Sequence, residues 1–130
     1  MREKPVLFVC KGNSGRSQIA EAFFNHISKT RRATSAGTLP DRKIDPRTVQ
    51  IMDEVGIDVR YQKPKPLTED LMKNAHRIIV MDASAMNKIP TAYLQKTENW
   101  KVEGLLGKSM DHSRKIRGYI KKRIYEMNMK

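Results

Sequence analysis

The apolar positions of the chain fall into short runs of two kinds. Val6-Leu-Phe-Val9 and Ile78-Ile-Val-Met81 are continuous and rich in β-branched or aromatic residues, as expected of strands buried on both faces of a sheet. Ala33 to Ala36, closed by Gly37, predicts another short strand, and a fourth is expected near Trp100 to Val102. Between the strands the period becomes helical. Ile19, Ala20, Phe23 and Phe24 share one face. Asp45-Pro46 opens a second helix, because Asp caps and Pro suits the first helical position. Val49 and Met52, with Ile51 or Val55, form its buried face before Gly56 stops it. Thr68-Glu-Asp70 starts a short helix with a capping hydroxyl and acids in its first turn. Ser109 caps a last helix carrying Ile116, Ile120, Ile124 and Met127 at helical spacing. Lys63-Pro-Lys-Pro66 reads as surface loop, and Ile57 to Val59 as briefly extended. The pattern is weakest from Thr91 to Leu106.

Strands alternating with helices predict a parallel sheet with helices on both faces. Such sheets bind ligands beyond the C-terminal ends of their strands. One connection there carries chemistry: Cys10-Lys-Gly-Asn-Ser-Gly-Arg16-Ser17, between the first strand and the first helix. Gly12, Asn13 and Gly15 let the backbone take conformations that other residues resist. Successive N–H groups of Lys11, Gly12, Asn13, Ser14, Gly15 and Arg16 can form a nest for a tetrahedral oxyanion, and the helix adds its positive dipole end. Arg16 supplies a planar fork that grips two oxygens at once. Thiol pKa values fall from ~8.5 to ~3.5–7.5 near helix N-termini and cations, so Cys10 is expected to be a thiolate nucleophile facing the bound anion. Ser17 is placed to hydrogen-bond that sulfur. Cysteine at a strand end also occurs as an inert core residue; the two glycines and the strand-to-helix placement favour the catalytic reading.

The chain has 130 residues, which suits one domain over 1–130. No apolar run approaches the ~18 residues of a membrane span, and Met1 to Pro5 leads straight into a strand rather than a signal peptide. The single cysteine excludes an internal disulfide, and a cytoplasmic location is expected. His26, His76 and His112 are scattered, so no metal and no cofactor are expected. Lysine and arginine outnumber acids 26 to 14, a formal charge of +12 that attracts anions. From Lys108 onward there are eight basic and two acidic residues; weak polyanion binding by this tail is one expectation, a solvated helix face the simpler one.

Val9-Cys-Lys-Gly-Asn-Ser-Gly-Arg-Ser-Gln-Ile-Ala-Glu-Ala-Phe-Phe24 resembles the signature of low-molecular-weight protein tyrosine phosphatases and the related arsenate reductases. Ser35-Ala-Gly-Thr38, Asp45-Pro46 and Met52-Asp-Glu-Val-Gly-Ile-Asp58 resemble further blocks of that family, and the likeness returns at Trp100 and Gly107-Lys-Ser109. With this resemblance the expected fold is α/β: a three-layer sandwich whose four-stranded parallel sheet has the order 2-1-3-4. The resemblance implies a phosphatase in which Cys10 attacks phosphorus and Arg16 and the loop amides hold the oxygens. The implied substrates are a phosphorylated protein, through phosphotyrosine, or a small aryl phosphate, with inorganic phosphate or arsenate as a ligand.

The resembled phosphatases protonate the leaving group with an Asp-Pro pair on a late loop, where this chain has Gly104-Leu105. Glu103 is the expected substitute, with Asp111 further away, and a slow enzyme follows because general acid catalysis is worth ~10²–10⁴-fold. The tyrosine beside the family's acid is also missing. Thioredoxin-coupled arsenate reductases pass oxidation to two later cysteines. This chain has neither, so arsenate reduction would need an external thiol. A weakly catalytic oxyanion or phosphoprotein binder is the third reading. Asp82, following a strand, is expected to shape the pocket floor, orient a neighbour or cap the next helix, and Ser35 to support the loop from beneath. Glu21 reads as structural.

Overall fold

The computed structural model describes residues 3–129. The apolar runs form strands β1 (Val6–Cys10), β2 (Ala33–Gly37) and β3 (Arg77–Val80), joined by β4 (Thr97–Asn99), in one parallel sheet of order β2-β1-β3-β4. The alternation of a strand sorts their side chains onto two faces. Val6, Phe8, Cys10, Ile79 and Met81 join the core built with α1 (Arg16–Ile27), α2 (Pro46–Asp53) and α5 (Met110–Asn128). Leu7, Val9, Ile78 and Val80 meet the other core, with Met72 of α3 (Glu69–Lys73) and Ala85 of α4 (Ala83–Met86). Helices on both faces of the sheet make the three layers. β1 is buried along its whole length, which fixes the position of the loop that leaves it.

Local signals act where expected. Asp45, Thr68 and Ser109 cap α2, α3 and α5 through their side chains. Ile116, Ile120 and Ile124 are buried against the α1 side of the sheet. One expectation is corrected. The fourth strand is Thr97–Asn99, not Trp100 to Val102. Trp100 N and Val102 N still donate to Val80 O and Met81 O, at 2.9 and 2.7 Å, but Lys101 between them has a φ of 53° and breaks the strand. β4 is a half-buried edge of polar residues, so it leaves no apolar signal. Ile57 to Val59 lies outside helices and strands. On the buried face of α2, Ile51 is buried beside Met52 and Val49 packs against the same core, whereas Val55, past the helix end, is exposed.

The basic final helix is partly neutralised. Arg114 and Arg117 both reach Glu54, at 2.8 and 2.7 Å, and Arg123 reaches Glu98 at 3.1 Å. Arg114 first, then Arg117, pull the Glu54 carboxyl down from 4.5 to about 2. A depressed carboxyl stabilises the fold above its unfolded value and loses that contribution as pH falls towards 2. The pair is exposed, so the effect is small. Urea midpoints at pH 6 and pH 3 should therefore differ slightly less in Glu54→Gln than in wild type. Lys115, Lys121 and Lys122 stay exposed on α5. Among the described residues no helix is long and apolar enough to cross a membrane.

Candidate active site

The loop from Cys10 to Arg16 is turned into a cup by what surrounds it. Each of its carbonyls is engaged from outside. Thr38 N and Leu39 N donate to Cys10 O and Lys11 O, Asp41 N to Gly12 O, Asp45 N to Ser14 O and Ile19 N to Gly15 O, at 2.9–3.1 Å. Gln18 Nε2 donates to Asn13 O at 3.0 Å, and Thr48 Oγ1 also donates to Ser14 O at 3.0 Å. A trans peptide points its N–H opposite its C=O. Carbonyls held outward therefore turn the N–H groups of residues 11 to 16 inward, over Cys10. One of them, Asn13 N, donates to Cys10 Sγ at 3.3 Å. α1 begins at Arg16 and directs its positive end at the same place.

Asn13 is buried in the left-handed region, at φ 52°. Its side chain fixes the network beneath the cup. Lys65 N donates to Asn13 Oδ1 at 2.9 Å, which sets the amide's orientation. Asn13 Nδ2 then donates to Ser17 Oγ at 2.8 Å and Ser35 Oγ at 2.9 Å. Ser17 Oγ also lies within hydrogen-bond distance of Cys10 Sγ, at 2.9 Å. Ser35 in turn donates to Glu21 Oε1 at 2.6 Å. A backbone N–H and a hydroxyl thus both face the one sulfur. Glu21 is thus part of the site's support rather than a bystander on a helix face. Only its i, i+14 partner on β2 reveals that, and no sequence period encodes it.

Gly37 closes the cup from β2. A Cβ there would lie 2.6 Å from Lys11 O and 2.9 Å from Asn13 Cβ. Gly37→Ala should push the loop away, cost about 1–3 kcal/mol of stability as overpacking does, and weaken phosphate binding. Thermal unfolding with and without phosphate measures both.

Arg16 is held from behind. Its Nη1 donates to Val102 O at 2.8 Å, and its Nη2 pairs with Asp82 Oδ2 at 2.8 Å. The two Asp82 oxygens point different ways: Oδ2 meets Arg16, while Oδ1 accepts from Ala85 N and Ser84 Oγ, each at 2.8 Å, and caps α4. Burial pushes the Asp82 carboxyl up, but the Ala85 N–H, the Ser84 hydroxyl and Arg16 outweigh it and hold it below its usual range. The guanidinium keeps its other N–H groups for a ligand.

Above the cup lies a cavity of about 560 Å³, lined by residues 10–16, by Leu39, Pro40, Asp41 and Asp45, and by Gly104, Leu105 and Leu106. Gly104 stands over Arg16; a Cβ there would be 3.8 Å from Cζ. Arg47, which sequence reasoning passed over, pins this roof by donating to the carbonyls of Leu105 and Lys108. Glu103 is turned away, and its expected role as proton donor is corrected. It lines a separate surface cleft with His112 and Lys115, and its Oε1 contacts His112 Nε2 at 2.7 Å. The His112 bond first, with Lys108 adding to it, pulls its carboxyl below the usual range, the wrong direction for an acid. Asp111 pairs with Arg114 on the outer surface. Among the described residues no His/Cys/Asp/Glu group is arranged to hold a metal ion.

A family model described as low molecular weight phosphotyrosine protein phosphatase matches residues 5–127. A glutaredoxin arsenate reductase of Synechocystis sp. is 32% identical over 122 residues, 93% of each chain. The low molecular weight protein tyrosine phosphatase of T. tengcongensis superposes with a TM-score of 0.87 at 28% identity, over 96% of this chain and 97% of that one. An arsenate reductase in its phosphate-binding state gives 0.86 at 30% identity, over 97% of both.

Proposed function

The chain belongs to the low molecular weight phosphotyrosine protein phosphatase family, and from that premise we propose that it is a slow cysteine-dependent phosphatase of phosphotyrosine or small aryl phosphates. The observation that carries the reading is the ring of inward amides around a sulfur that accepts from Asn13 N and lies 2.9 Å from Ser17 Oγ. Cys10 Sγ attacks phosphorus and the ester P–O bond breaks. The amides of residues 11 to 16 and the Arg16 fork stabilise the charge on the three equatorial oxygens. Water then displaces Cys10 from phosphorus, releasing inorganic phosphate. Ser17 steadies the sulfur on arrival and departure. With Gly104 where the family's acid stands, aryl esters, whose leaving groups need least protonation, are the better substrates.

The test is turnover of para-nitrophenyl phosphate with acid-quenched enzyme examined for phosphate on Cys10. Turnover without a phosphocysteine sinks the reading.

Arsenate reduction with an external thiol is the second reading, favoured by the 32% identity to a glutaredoxin arsenate reductase. Arsenate would condense on Cys10 with loss of water. An external thiol would then attack the sulfur, leaving a Cys10 mixed disulfide while two electrons pass to arsenic and arsenite departs. Arsenite formed only when glutathione is added would favour it over the phosphatase. Tight phosphate binding with neither activity would instead mark a binder. The open roof at Gly104 leaves room for either incoming group. The exposed Lys115, Lys121 and Lys122 support weak polyanion binding by α5, and the lone thiol, which must stay reduced, supports a cytoplasmic location.

A further inference from the structure

We propose that Asp41 is the leaving-group acid, replacing the carboxyl that position 104 lacks. This rests on the phosphatase reading above.

Three observations meet at this residue. The first is elimination. The carboxylates lining the cavity are Asp41 and Asp45. Asp45 serves as the N-cap of α2, its Oδ1 accepting from Arg47 N at 2.9 Å, which turns its carboxyl toward that helix. Asp82 has both oxygens engaged behind Arg16, and Glu103 faces another cleft. The second is attachment. Asp41 is fastened to the loop it would serve: its N–H donates to Gly12 O at 2.9 Å and its Oδ2 accepts from the Ser14 hydroxyl at 2.6 Å. Its Oδ1 has no hydrogen-bond partner among the described residues. The third is clearance. A Cβ on residue 12 would lie 2.3 Å from Asp41 Oδ2, so the bare backbone of Gly12 is what lets the carboxyl sit against the cup.

From there the carboxyl borders the path by which an ester oxygen leaves the cup. As Cys10 Sγ bonds to phosphorus and the ester P–O bond breaks, the Asp41 proton passes to the departing oxygen. In the second step the Asp41 carboxylate takes a proton from water. That water's oxygen bonds to phosphorus, the S–P bond breaks, and Asp41 is restored as the acid.

The test compares para-nitrophenyl phosphate, whose leaving group needs little help, with phenyl phosphate, whose leaving group needs a proton. For Asp41→Asn, phenyl phosphate kcat/KM should fall about 10²–10⁴-fold and para-nitrophenyl phosphate less than about tenfold. Inhibition by orthovanadate should be unchanged, showing an intact cup, and Asp41→Glu should keep most of the phenyl phosphate activity. Equal losses on both substrates, or none, overturn the role of Asp41 and leave the phosphatase standing. Collapse of vanadate inhibition along with both rates overturns it too, by assigning Asp41 to loop support. A wild type that does not turn over para-nitrophenyl phosphate removes both readings together.

Discussion

Cys10→Ser is expected to lower para-nitrophenyl phosphate turnover by more than about 10³-fold, the losses known for hydrolase nucleophiles being larger still. The sulfur sits under the amide ring, with Ser17 Oγ at 2.9 Å and Asn13 N at 3.3 Å. A serine hydroxyl in its place keeps the shape and loses the nucleophile: it ionises far less readily than a thiol and leaves phosphorus more reluctantly. The cup depends on carbonyls engaged by residues 38, 39, 41 and 45 and on the Asn13 side chain, none of which the substitution touches. Orthovanadate or phosphate should therefore still bind, as isothermal titration would show. A variant that retained a tenth of the activity would place the chemistry elsewhere.

Arg16→Ala has the next largest expected effect, a fall of about 10²–10³-fold in kcat, the scale of losing a preorganised transition-state donor. Val102 O and Asp82 Oδ2 hold the guanidinium before any ligand arrives, so its remaining donors need no reorganisation when charge develops on the phosphoryl oxygens. Arg16→Lys keeps the charge and loses the planar fork, so it should recover only part of the rate. Steady-state kinetics of the two variants separate the outcomes. If Arg16→Ala raises KM and leaves kcat intact, the side chain serves ground-state binding alone.

The loop was legible because its chemistry is local. Nucleophile, glycines, arginine and serine fall within one short stretch, Cys10 to Ser17, and the switch from a β-rich run to helical spacing marks where it sits. The sheet was legible for a related reason: β1 and β3 are buried on both faces and read as unbroken apolar runs. β4 was misplaced because an edge strand of Thr, Glu and Asn needs no such run.

What surrounds the loop was decided by the tertiary structure. Parallel strands deliver their C-terminal ends to one edge, so Asp82, Ser35 and Gly37 arrive beside a loop far from them in sequence. Whether Asp82 capped a helix or oriented Arg16 depended on where each of its two oxygens pointed. Glu103 and Gly104 are neighbours in sequence, yet one faces His112 and the other Arg16. Their directions follow from the φ of 53° at Lys101 and from the grip of Arg47 on the roof, not from any period. The sequence by itself determined a cysteine in a glycine-bearing turn between a parallel strand and a helix, because short-range backbone chemistry specifies such a turn. Which carboxylates line the cavity above it, Asp41 and Asp45 rather than Glu103, was decided by loops packing on loops, where side-chain direction is set by distant contacts.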